Sequence, residues 1–499
     1  MRTLDSYNSW HSNWRELRVG VIGLGVTGFS VADSLAELGA QQLVVAEKAE
    51  ADLLDILNVL GVQHVTGEAA KGVGSSIFGV PQELIDFAPQ VIVTSPGVRP
   101  DSPLIQWAQD NGVAVWVDID LAWRLRDKNG APAAWICITG TNGKTTTTQL
   151  TEAMLLAGGL RAMACGNIGT PILDAIRLPD GLDALVVELS SFQLHYLGDI
   201  SPVASAVLNL ADDHLDWHGG FEAYSATKGK VYEQTKIACV YNVQDSATES
   251  LVENADVVEG ARAIGFTLGV PGRSMVGYVE EFLVDRAFID DRSQAVEIAE
   301  VSDIEQIGVV TPHLMANVAA AAALARSVGV QPEEIKAAIR GFKLDGHRIE
   351  LVAESAGVRW IDDSKATNPH ATAASLASFD SVVWIVGGLL KGVDVSPLVE
   401  RFAKKLRAAV VIGTDRQPLL DALSAKAPGV PVFQVEQADN VMAQAVALAG
   451  SAAQPGDTVL LAPAAASMDQ FKDYADRGDQ FAGAVKIWLE DGEANNGNA

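Results

Sequence analysis

The sequence is poor in cysteine and in basic residues. Three cysteines, Cys137, Cys165 and Cys239, occur among 499 residues, and they are scattered and odd in number. This arrangement predicts neither a disulfide framework nor a zinc knuckle. Lys and Arg number 36 against 63 Asp and Glu, so the formal charge is −27. Because a chain this acidic repels phosphate backbones, we expect no nucleic-acid partner.

Long apolar runs are also missing. The strongly apolar stretches fall short of the roughly 20 residues that a membrane helix needs, and residues 1–17 lack the apolar core of a signal peptide. We therefore expect a soluble, cytoplasmic protein with no membrane partner. Low-complexity sequence is confined to the tail at 493–499, while 48% hydrophobic and 20% charged residues are values typical of globular chains.

The order of predicted elements indicates an α/β fold. Short apolar runs typical of strands alternate with Ala- and Leu-rich helical runs along almost the whole chain. This alternation predicts βαβ units and parallel sheets. At roughly 150 residues per domain the length predicts about three domains. Polar, turn-rich stretches at 124–132 and 341–347 place the boundaries, so we predict domains at 1–130, 131–344 and 345–499.

A glycine-rich loop at 23–28 (GLGVTG) lies between a predicted strand at 18–22 and a predicted helix at 29–38. Glu47, at the end of the second strand, lies 19 residues after Gly28. Together these features form the complete dinucleotide fingerprint, in which glycines let backbone N–H groups approach a phosphate at a helix N-terminus. Alone, the pattern favours NAD. Because it requires only a pyrophosphate, another nucleotide diphosphate is the alternative.

A second loop of the phosphate-binding type lies at 140–146 (GTNGKTT), before a predicted helix at 147–156. Lys144 would supply a positive charge for the β- and γ-phosphates, and the hydroxyl of Thr145 can bind Mg²⁺. The strict P-loop pattern has a glycine where this chain has Ile138.

A carboxylate completes the second phosphate site. Residues 184–187 form a predicted buried strand that ends at Glu188, and a carboxylate in that place is a suitable Mg²⁺ ligand. One chain therefore carries two loops for nucleotide phosphates. A dehydrogenase needs only one of them, whereas an ATP-driven enzyme acting on a nucleotide-linked substrate needs both.

Five motifs resemble those of a known family. They are GTNGKTT at 140–146, ELSSFQ at 188–193, NLADDHLD at 209–216, GHR at 346–348 and DSKATN at 363–368. In this order they are similar to the Mur ligases of peptidoglycan synthesis, which are ATP-dependent, amide-bond-forming ligases. The DSKATN run and Ser467 resemble the branch of the family that adds D-glutamate. Folylpolyglutamate synthase and other Mur ligases share the phosphate loop but differ in this C-terminal segment.

The resemblance implies three domains: a Rossmann-like N-terminal domain for the uridine nucleotide, a central P-loop ATPase-like mononucleotide-binding domain for ATP, and a Rossmann-like C-terminal domain for the amino acid. It implies UDP-N-acetylmuramoyl-L-alanine, D-glutamate and ATP as substrates, with two Mg²⁺ ions as cofactors. The substrate carboxylate is activated as an acyl phosphate, and the amine of D-glutamate then attacks it. A cytoplasmic monomer acting in cell wall biogenesis, cell shape and cell division is implied as well.

The resemblance also implies a set of site residues. The catalytic residues are Lys144, Glu188, His214 and Lys228, and the metal ligands are Thr145, Glu188, His214 and Lys228 as a carbamate. ATP would contact Gly140, Thr141, Asn142, Gly143, Lys144, Thr145, Thr146, Asn317, Arg348 and Asp363. The uridine-linked substrate would contact Gly25, Val26, Thr27, Glu47, Lys48, Ser95, Gly97, Asn167, Ser190 and Gln193. D-Glutamate would contact Lys365, Thr367, Lys391, Ser467 and Tyr474.

Some of these assignments have alternatives. Lys228 matches a lysine that is carbamylated in the family, a reaction that turns a cation into a carboxylate-like metal ligand. Lys230 lies two residues further on, so the choice depends on a Tyr-x₃-Lys-x₃-Tyr frame. His214 lies in an acidic run and would otherwise be an ordinary surface residue. Leu314 replaces the first Asn of a family His-Asn-x-x-Asn segment, which leaves Asn317.

Three rival functions follow from the same residues. A dehydrogenase would bind NAD(H) at the first loop, but it leaves the second loop unexplained. A nucleotide-dependent switch would change its partner affinity without forming a product, and the DSKATN run disfavours it. A Mur-type ligase for a different amino acid is the nearest rival, and ADP release with a panel of amino acids would separate it.

Overall fold

The chain folds into three β-sheets of mainly parallel strands, as the alternating apolar pattern predicts. The computed structural model describes residues 4–71, 79–291, 293–344, 346–390, 392–436 and 440–496. Within these residues the sheets have five, nine and six strands. The α/β class and the three-part organisation expected from the sequence are confirmed.

The first sheet is entirely parallel. Its strands are β1 (Arg18–Ile22), β2 (Gln41–Ala46), β3 (Gln63–Thr66), β4 (Val91–Thr94) and β5 (Ala114–Trp116). Their order is β3-β2-β1-β4-β5, so β1, which leads into the first glycine loop, is central.

The second sheet is parallel except at one edge. Its strands are β6 (Ala134–Thr139), β7 (Ala162–Gly166), β8 (Ala184–Glu188), β9 (Ala204–Val207), β10 (Ala238–Asn242), β11 (Arg262–Phe266), β12 (Met275–Val279), β13 (Phe282–Asp285) and β14 (Val296–Glu300). The order is β14-β13-β12-β11-β10-β9-β6-β8-β7. Strands β12 to β14 pair antiparallel, and β6, which leads into the second loop, lies between β8 and β9.

The third sheet repeats the parallel arrangement. Its strands are β15 (Glu350–Ser355), β16 (Val358–Asp362), β17 (Val382–Gly387), β18 (Leu406–Ile412), β19 (Val432–Gln434) and β20 (Thr458–Leu461). The order is β15-β16-β20-β17-β18-β19, and only the pairing of β15 with β16 is antiparallel among these described strands. All six residues of β17 are buried, as expected for a parallel strand covered on both faces.

Helices connect the strands. They are α1 (Val26–Leu38), α2 (Ala51–Val59), α3 (Gln82–Phe87), α4 (Pro103–Asp110), α5 (Asp118–Leu125), α6 (Lys144–Ala157), α7 (Ile172–Ile176), α8 (Ser191–Tyr196), α9 (Leu215–His218), α10 (Phe221–Gly229), α11 (Ser246–Glu253), α12 (Val301–Ile304), α13 (Pro312–Ser327), α14 (Pro332–Gly341), α15 (Pro369–Ala377), α16 (Ser396–Phe402), α17 (Gln417–Lys426), α18 (Val441–Ala452) and α19 (Tyr474–Asn496). Among the described residues no helix is long and apolar enough to cross a membrane.

Two compact units contain these elements. One comprises Met1–Glu300 with Ala316–Ile339 and holds the first two sheets, and the other comprises Val301–Met315 with Arg340–Ala499 and holds the third. Apolar side chains on both faces of the strands form the cores. The predicted boundary at residue 130 lies between β5 and β6, and that at 344 lies before β15. The domain limits themselves stay predictions.

Some local expectations differ from the structure. Helix α1 begins at Val26 and α6 at Lys144, each three residues earlier than predicted, because the glycine before each helix is its N-cap. The apolar run at 206–210 predicts a strand over those residues, but strand β9 ends at Val207. The sequence at 67–90 suggests only a polar surface insertion, but this stretch includes α3, whose Leu84 is fully buried. Residues 72–78 of this stretch lie outside the described part.

Candidate active site

The second glycine loop has a backbone that only glycine adopts readily. Gly140 and Gly143 have φ angles of +152° and +81°. A Cβ atom on Gly143 would lie 2.4 Å from Oδ1 of Asn317. The close approach places Asn317, predicted to bind ATP, directly against this loop, whereas a larger residue at position 143 would push it away.

Lys144 is held over the same loop. Its Nζ donates to the carbonyl oxygens of Gly140 and Thr141, at 3.0 and 2.9 Å. Thr145 and Thr146 follow it in the first turn of α6. The loop thus presents an ammonium group and the start of a helix to one place, which is the arrangement that binds polyphosphate.

Two residues that were not predicted as site residues hold this loop in shape. The side-chain amide of Asn209 accepts from the backbone N–H of Asn142 at 2.8 Å and donates to the carbonyl of Asn142 at 2.9 Å. The hydroxyls of Tyr224 and Thr141 lie 2.9 Å apart. Both residues occur in sequence motifs that resemble the family, and these motifs were the only sequence feature that could have indicated their role. Their partners could not be predicted from the sequence.

Glu188 ends β8, the strand next to β6, and is 2% exposed. Its Oε1 accepts from Nδ2 of Asn167 at 2.9 Å. Its Oε2 is buried, and among the described residues it has no hydrogen-bond partner. Because buried polar atoms are nearly always satisfied, this oxygen indicates a ligand. A carboxylate oxygen suits Mg²⁺, so the residues present fit the predicted metal.

Lys228, on α10, is 2% exposed. Its Nζ donates to Oγ1 of Thr139 at 3.1 Å and to the carbonyl of Gly140 at 3.0 Å, so it lies beside the start of the second glycine loop. Burial, together with the nearby charge of Lys144, holds the pKa of Lys228 well below its usual value. An uncharged amine is nucleophilic, which is what carbamylation by CO₂ requires.

His214 follows β9, the other neighbour of β6, and is the N-cap of α9. Its φ of +52° is uncommon for a residue other than glycine and is often found at functional sites. The imidazole is about half exposed, with Nε2 3.6 Å from Oδ1 of Asp213. Its ring lies 4.6 Å from that of Phe192. The second sheet therefore brings the second glycine loop, Glu188 and His214 to the ends of adjacent strands.

The first glycine loop and the turn after β4 are in contact. Ser95 donates its hydroxyl and its backbone N–H to the carbonyl of Ile22, at 2.8 and 2.9 Å. A Cβ atom on Gly23 would lie 2.1 Å from the Ser95 hydroxyl. Gly25 caps α1, which Val26 and Thr27 open, and Glu47 and Lys48 follow β2. Gly97 accepts at 3.5 Å from the indole N–H of Trp217.

Ser190 and Gln193 form a capping box at the start of α8. The Ser190 hydroxyl accepts from the backbone N–H of Gln193 at 3.1 Å, and Oε1 of Gln193 accepts from the Ser190 backbone N–H at 3.0 Å. The capping box holds both side chains in place, and these two residues lie two and five positions after Glu188. Asn167, also predicted to contact the uridine-linked substrate, donates its backbone N–H to the carbonyl of Glu188 at 2.9 Å.

In the second unit the predicted D-glutamate residues follow neighbouring strands. Lys365 and Thr367 come after β16, and Ser467 comes after β20, which pairs with β16 and β17. The loop after β17 pairs with the loop after β20, because the N–H of Leu389 donates to the carbonyl of Ala466 at 2.9 Å. Lys391 lies outside the described residues. The Nζ of Lys365 lies 5.0 Å from the ring centre of Tyr474.

Arg477 is a fully buried residue that the sequence does not predict as part of the site. Its guanidinium donates to the hydroxyl and the carbonyl of Ser364, at 2.9 and 2.8 Å, and to the carbonyl of Ala465 at 3.2 Å. It therefore ties the DSKATN segment to the segment that carries Ser467. No sequence signal marks it, since a lone Arg after a loop is usually exposed.

Two residues of the second unit, Arg348 and Asp363, are predicted to contact ATP. Asp363 is buried, accepts from the hydroxyl of Ser375, and accepts at 3.3 Å from the backbone N–H of Ile349, next to Arg348. Burial raises the pKa of Asp363 to about 6.

Family models match most of the chain. Residues 17–117 match the Mur ligase MurD-like N-terminal domain, 138–325 the Mur ligase middle domain, and 347–465 the Mur ligase glutamate ligase domain. Several relatives carry the name UDP-N-acetylmuramoylalanine–D-glutamate ligase. The one from Leifsonia xyli subsp. xyli is 54% identical over 99% of this chain and 97% of that protein. The one from Streptomyces coelicolor is 51% identical over 94% and 97%.

Solved structures share the fold. The UDP-N-acetylmuramate–alanine ligase MurC from Thermotoga maritima has a TM-score of 0.53 at 16% identity, covering 95% of this chain and all of that one. The MurF ligase from the same organism, in complex with ADP, has a TM-score of 0.53 at 17% identity, covering 98% and 100%. The chain therefore belongs to the Mur ligase family, within the group of UDP-N-acetylmuramoylalanine–D-glutamate ligases.

Proposed function

We propose that the protein is an ATP-dependent ligase that joins the carboxylate of UDP-N-acetylmuramoyl-L-alanine to the amine of D-glutamate. The observation that carries the proposal is the ATP-type loop at Lys144 beside a buried Glu188 oxygen that lacks a partner among the described residues, in a chain with a second nucleotide loop. The names of the relatives point to the same substrates. The product belongs to the cytoplasmic stage of peptidoglycan precursor synthesis, and we expect a monomer.

The chemistry would proceed in two steps. An oxygen of the substrate carboxylate attacks the γ-phosphorus of ATP, the bond between that phosphorus and the bridging oxygen breaks, and ADP leaves. The uncharged amine of D-glutamate then attacks the acyl carbon, phosphate leaves with the electrons of the broken C–O bond, and the nitrogen loses a proton to solvent. Lys144 lies where it can offset charge on the transferred phosphate.

The metal would be held by residues that the second sheet brings together. Thr145, Glu188, His214 and carbamylated Lys228 would bind two Mg²⁺ ions, whose charge would offset that of the phosphate. Lys228 supports this set because its buried amine lies against Gly140. Carbamylation would add CO₂ to the uncharged amine with loss of one proton, so the buried group would become an acceptor rather than a donor.

The two other substrates would bind at strand ends. The uridine nucleotide would lie at the first glycine loop and at Ser95, with Asn167, Ser190 and Gln193 near its carboxylate. D-Glutamate carries two carboxylates, and in a chain of charge −27 it needs local donors. Lys365, Thr367, Lys391, Ser467 and Tyr474 would supply them. Asn317, Arg348 and Asp363 would contact ATP.

Substrate-dependent ADP release tests this proposal. The purified protein, with ATP, Mg²⁺ and UDP-N-acetylmuramoyl-L-alanine, is given D-glutamate, L-glutamate, L-alanine or meso-diaminopimelate in turn. We expect sustained ADP release with D-glutamate alone, with L-glutamate as the matched control because it differs only in handedness. ADP release that prefers another amino acid would contradict the assigned substrate. NAD(H) binding without ATP consumption would instead support a dehydrogenase.

A further inference from the structure

Two buried carboxylates lie in the first turn of α5, and the proposed reaction uses neither of them. Asp118 is 3% exposed and Asp120 is 6% exposed. Helix α5 follows the last strand of the first sheet, yet both side chains accept hydrogen bonds from the segment around α8, which follows β8 of the second sheet. Buried charges of this kind are costly, so each needs a reason to be there.

Asp118 contacts the side chain of Gln193. The amide Nε2 of Gln193 donates to both carboxylate oxygens, at 3.3 and 3.4 Å. The amide Oε1 of Gln193 accepts from the backbone N–H and the hydroxyl of Ser190, at 3.0 and 3.1 Å. The three residues therefore form a continuous chain of hydrogen bonds in which every donor faces an acceptor.

The carboxylate selects one of two orientations of the Gln193 amide. An ionised carboxylate only accepts hydrogen bonds, so the NH₂ group of Gln193 must face Asp118 and its oxygen must face Ser190. In the flipped orientation the amide oxygen would face the carboxylate, and the NH₂ group would face the backbone N–H of Ser190. Both contacts would then be repulsive. Without the charge of Asp118 this selection is weakened.

The geometry points to Asp118 as a positioning residue for the uridine-linked substrate, acting through Gln193 and Ser190. The inference rests on the proposed function, because that proposal assigns both residues to this substrate. Ser190 is the N-cap of α8 and lies two residues after Glu188, so the orientation of the Gln193 amide fixes the segment that carries these groups.

Asp120 provides a matched control. It is buried in the same helical turn, but it accepts from the backbone N–H groups of Val117 and Gly198, at 3.0 and 2.8 Å. In the described residues its hydrogen bonds reach no side chain assigned to a substrate. Asp118→Asn and Asp120→Asn therefore make the same chemical change at two buried sites, of which only one is connected to Gln193.

The test is a double-mutant cycle on the full-length protein. KM for UDP-N-acetylmuramoyl-L-alanine, KM for ATP and the thermal midpoint are measured for Asp118→Asn, Asp120→Asn, Gln193→Ala and the double variant Asp118→Asn/Gln193→Ala. We expect Asp118→Asn to raise KM for the uridine-linked substrate at least tenfold, with KM for ATP maintained and the thermal midpoint no lower than that of the parent. The double variant should be no worse than Gln193→Ala, and Asp120→Asn should leave both KM values unchanged.

The other outcomes distinguish failure of this inference from failure of the proposed function. An unchanged KM in Asp118→Asn, or effects of Asp118→Asn and Gln193→Ala that multiply in the double variant, would overturn the inference. If the parent protein released no ADP with D-glutamate, the proposed function would fail instead. The affinity for the uridine-linked substrate, measured by calorimetry on the same variants, would then decide the positioning role in place of KM.

Discussion

Lys228 is a buried amine whose hydrogen-bond partners are a hydroxyl and a carbonyl. A charged ammonium there would lie near Lys144, and both burial and that charge lower the pKa of Lys228. A lowered pKa increases the share of uncharged amine, which is the form that reacts with CO₂. Lys230, the alternative assignment, donates instead to the carbonyl of His195 at 3.1 Å, away from the ATP loop.

Replacement of this lysine should be reversible by a small carboxylate. Lys228→Ala is expected to lower turnover at least ~10²-fold, because the carbamate that would bind the metal is lost. Added formate or acetate should restore part of the activity by occupying the vacated volume. Steady-state ADP release measures both effects, and Lys230→Ala, two residues away, should be nearly as active as the parent. If formate and acetate restored no activity to Lys228→Ala while its Mg²⁺ affinity was unchanged, the assignment of Lys228 as the carbamylated lysine would be contradicted.

Lys144 should contribute mainly to turnover. Lys144→Ala is expected to lower kcat at least ~10²-fold, which corresponds to a loss of ~2.7 kcal/mol of transition-state stabilisation. The measurement is ADP release at saturating substrates. Lys426→Ala is a control, since the Nζ of Lys426 pairs with the exposed Glu400. A Lys144→Ala variant with near-parental turnover would refute the phosphate-binding role of the loop.

The sequence did not reveal the residues that hold site residues in place through hydrogen bonds. Glu188 ends a strand, and Lys144 and His214 lie in the segments that follow strands, all three in recognisable motifs, so their positions could be predicted. Asn209 contacts Asn142 across 67 positions of the chain, and Asp118 contacts Gln193 across 75. Asn and Asp are common in turns and helix starts, so pairing between distant segments leaves no local pattern to read.

At the level of single elements, each glycine loop continues directly into the helix that follows it. Gly25 and Gly143 are N-caps, so the residues expected to form the loop ends are already the first turns of α1 and α6. The sequence pattern predicted strand, turn and helix in the correct order. It misplaced the helix starts because the first turn of α6 is polar and that of α1 contains Thr27 and Gly28, so apolar periodicity begins only a turn later.

The first turn of α5 should make stability depend on pH in a defined direction. Burial raises the pKa of Asp118 to about 6 from an ordinary value of 3.8. The folded state thus binds this proton more tightly than the unfolded state, so this group lowers the free energy of unfolding as pH rises from about 4 to about 6. Asp118→Asn removes this decrease in the free energy of unfolding, because asparagine does not ionise.

The stability of this variant can be compared with that of the parent across the same range. Relative to the parent, Asp118→Asn should gain up to ~3 kcal/mol between pH 4 and pH 7. Chemical denaturation at a series of pH values measures the difference. Asp183→Asn should show the opposite dependence at lower pH, between about pH 2 and pH 4, because its bond to Arg161 lowers the pKa of Asp183 to about 2. A difference between Asp118→Asn and the parent that stayed constant with pH would contradict this account.

For the whole molecule, parallel-strand topology explains how residues far apart in sequence share a site. Strand β6 lies between β8 and β9, so three separate motifs reach one edge of the second sheet. Strand β20 lies between β16 and β17 and does the same for the second unit. The alternating pattern predicted three α/β parts, but strand order is not encoded in local periodicity. The antiparallel edge formed by β12 to β14 was therefore not predicted.

The central claim is that two anion-binding loops in one chain serve different nucleotides. A Cβ atom on Gly28 would lie 2.1 Å from the carbonyl oxygen of Gly23, so Gly28→Ala must distort the first loop. Lys144→Ala leaves that loop intact and removes the charge of the second.

Calorimetric titration of ATP and of UDP-N-acetylmuramoyl-L-alanine into the parent and both variants tests this claim most directly. We predict one site for each nucleotide in the parent, loss of uridine-nucleotide binding alone in Gly28→Ala, and loss of ATP binding alone in Lys144→Ala. Retained affinity for the other nucleotide shows that each variant is folded. Competition between the two nucleotides for a single site in the parent would contradict the account.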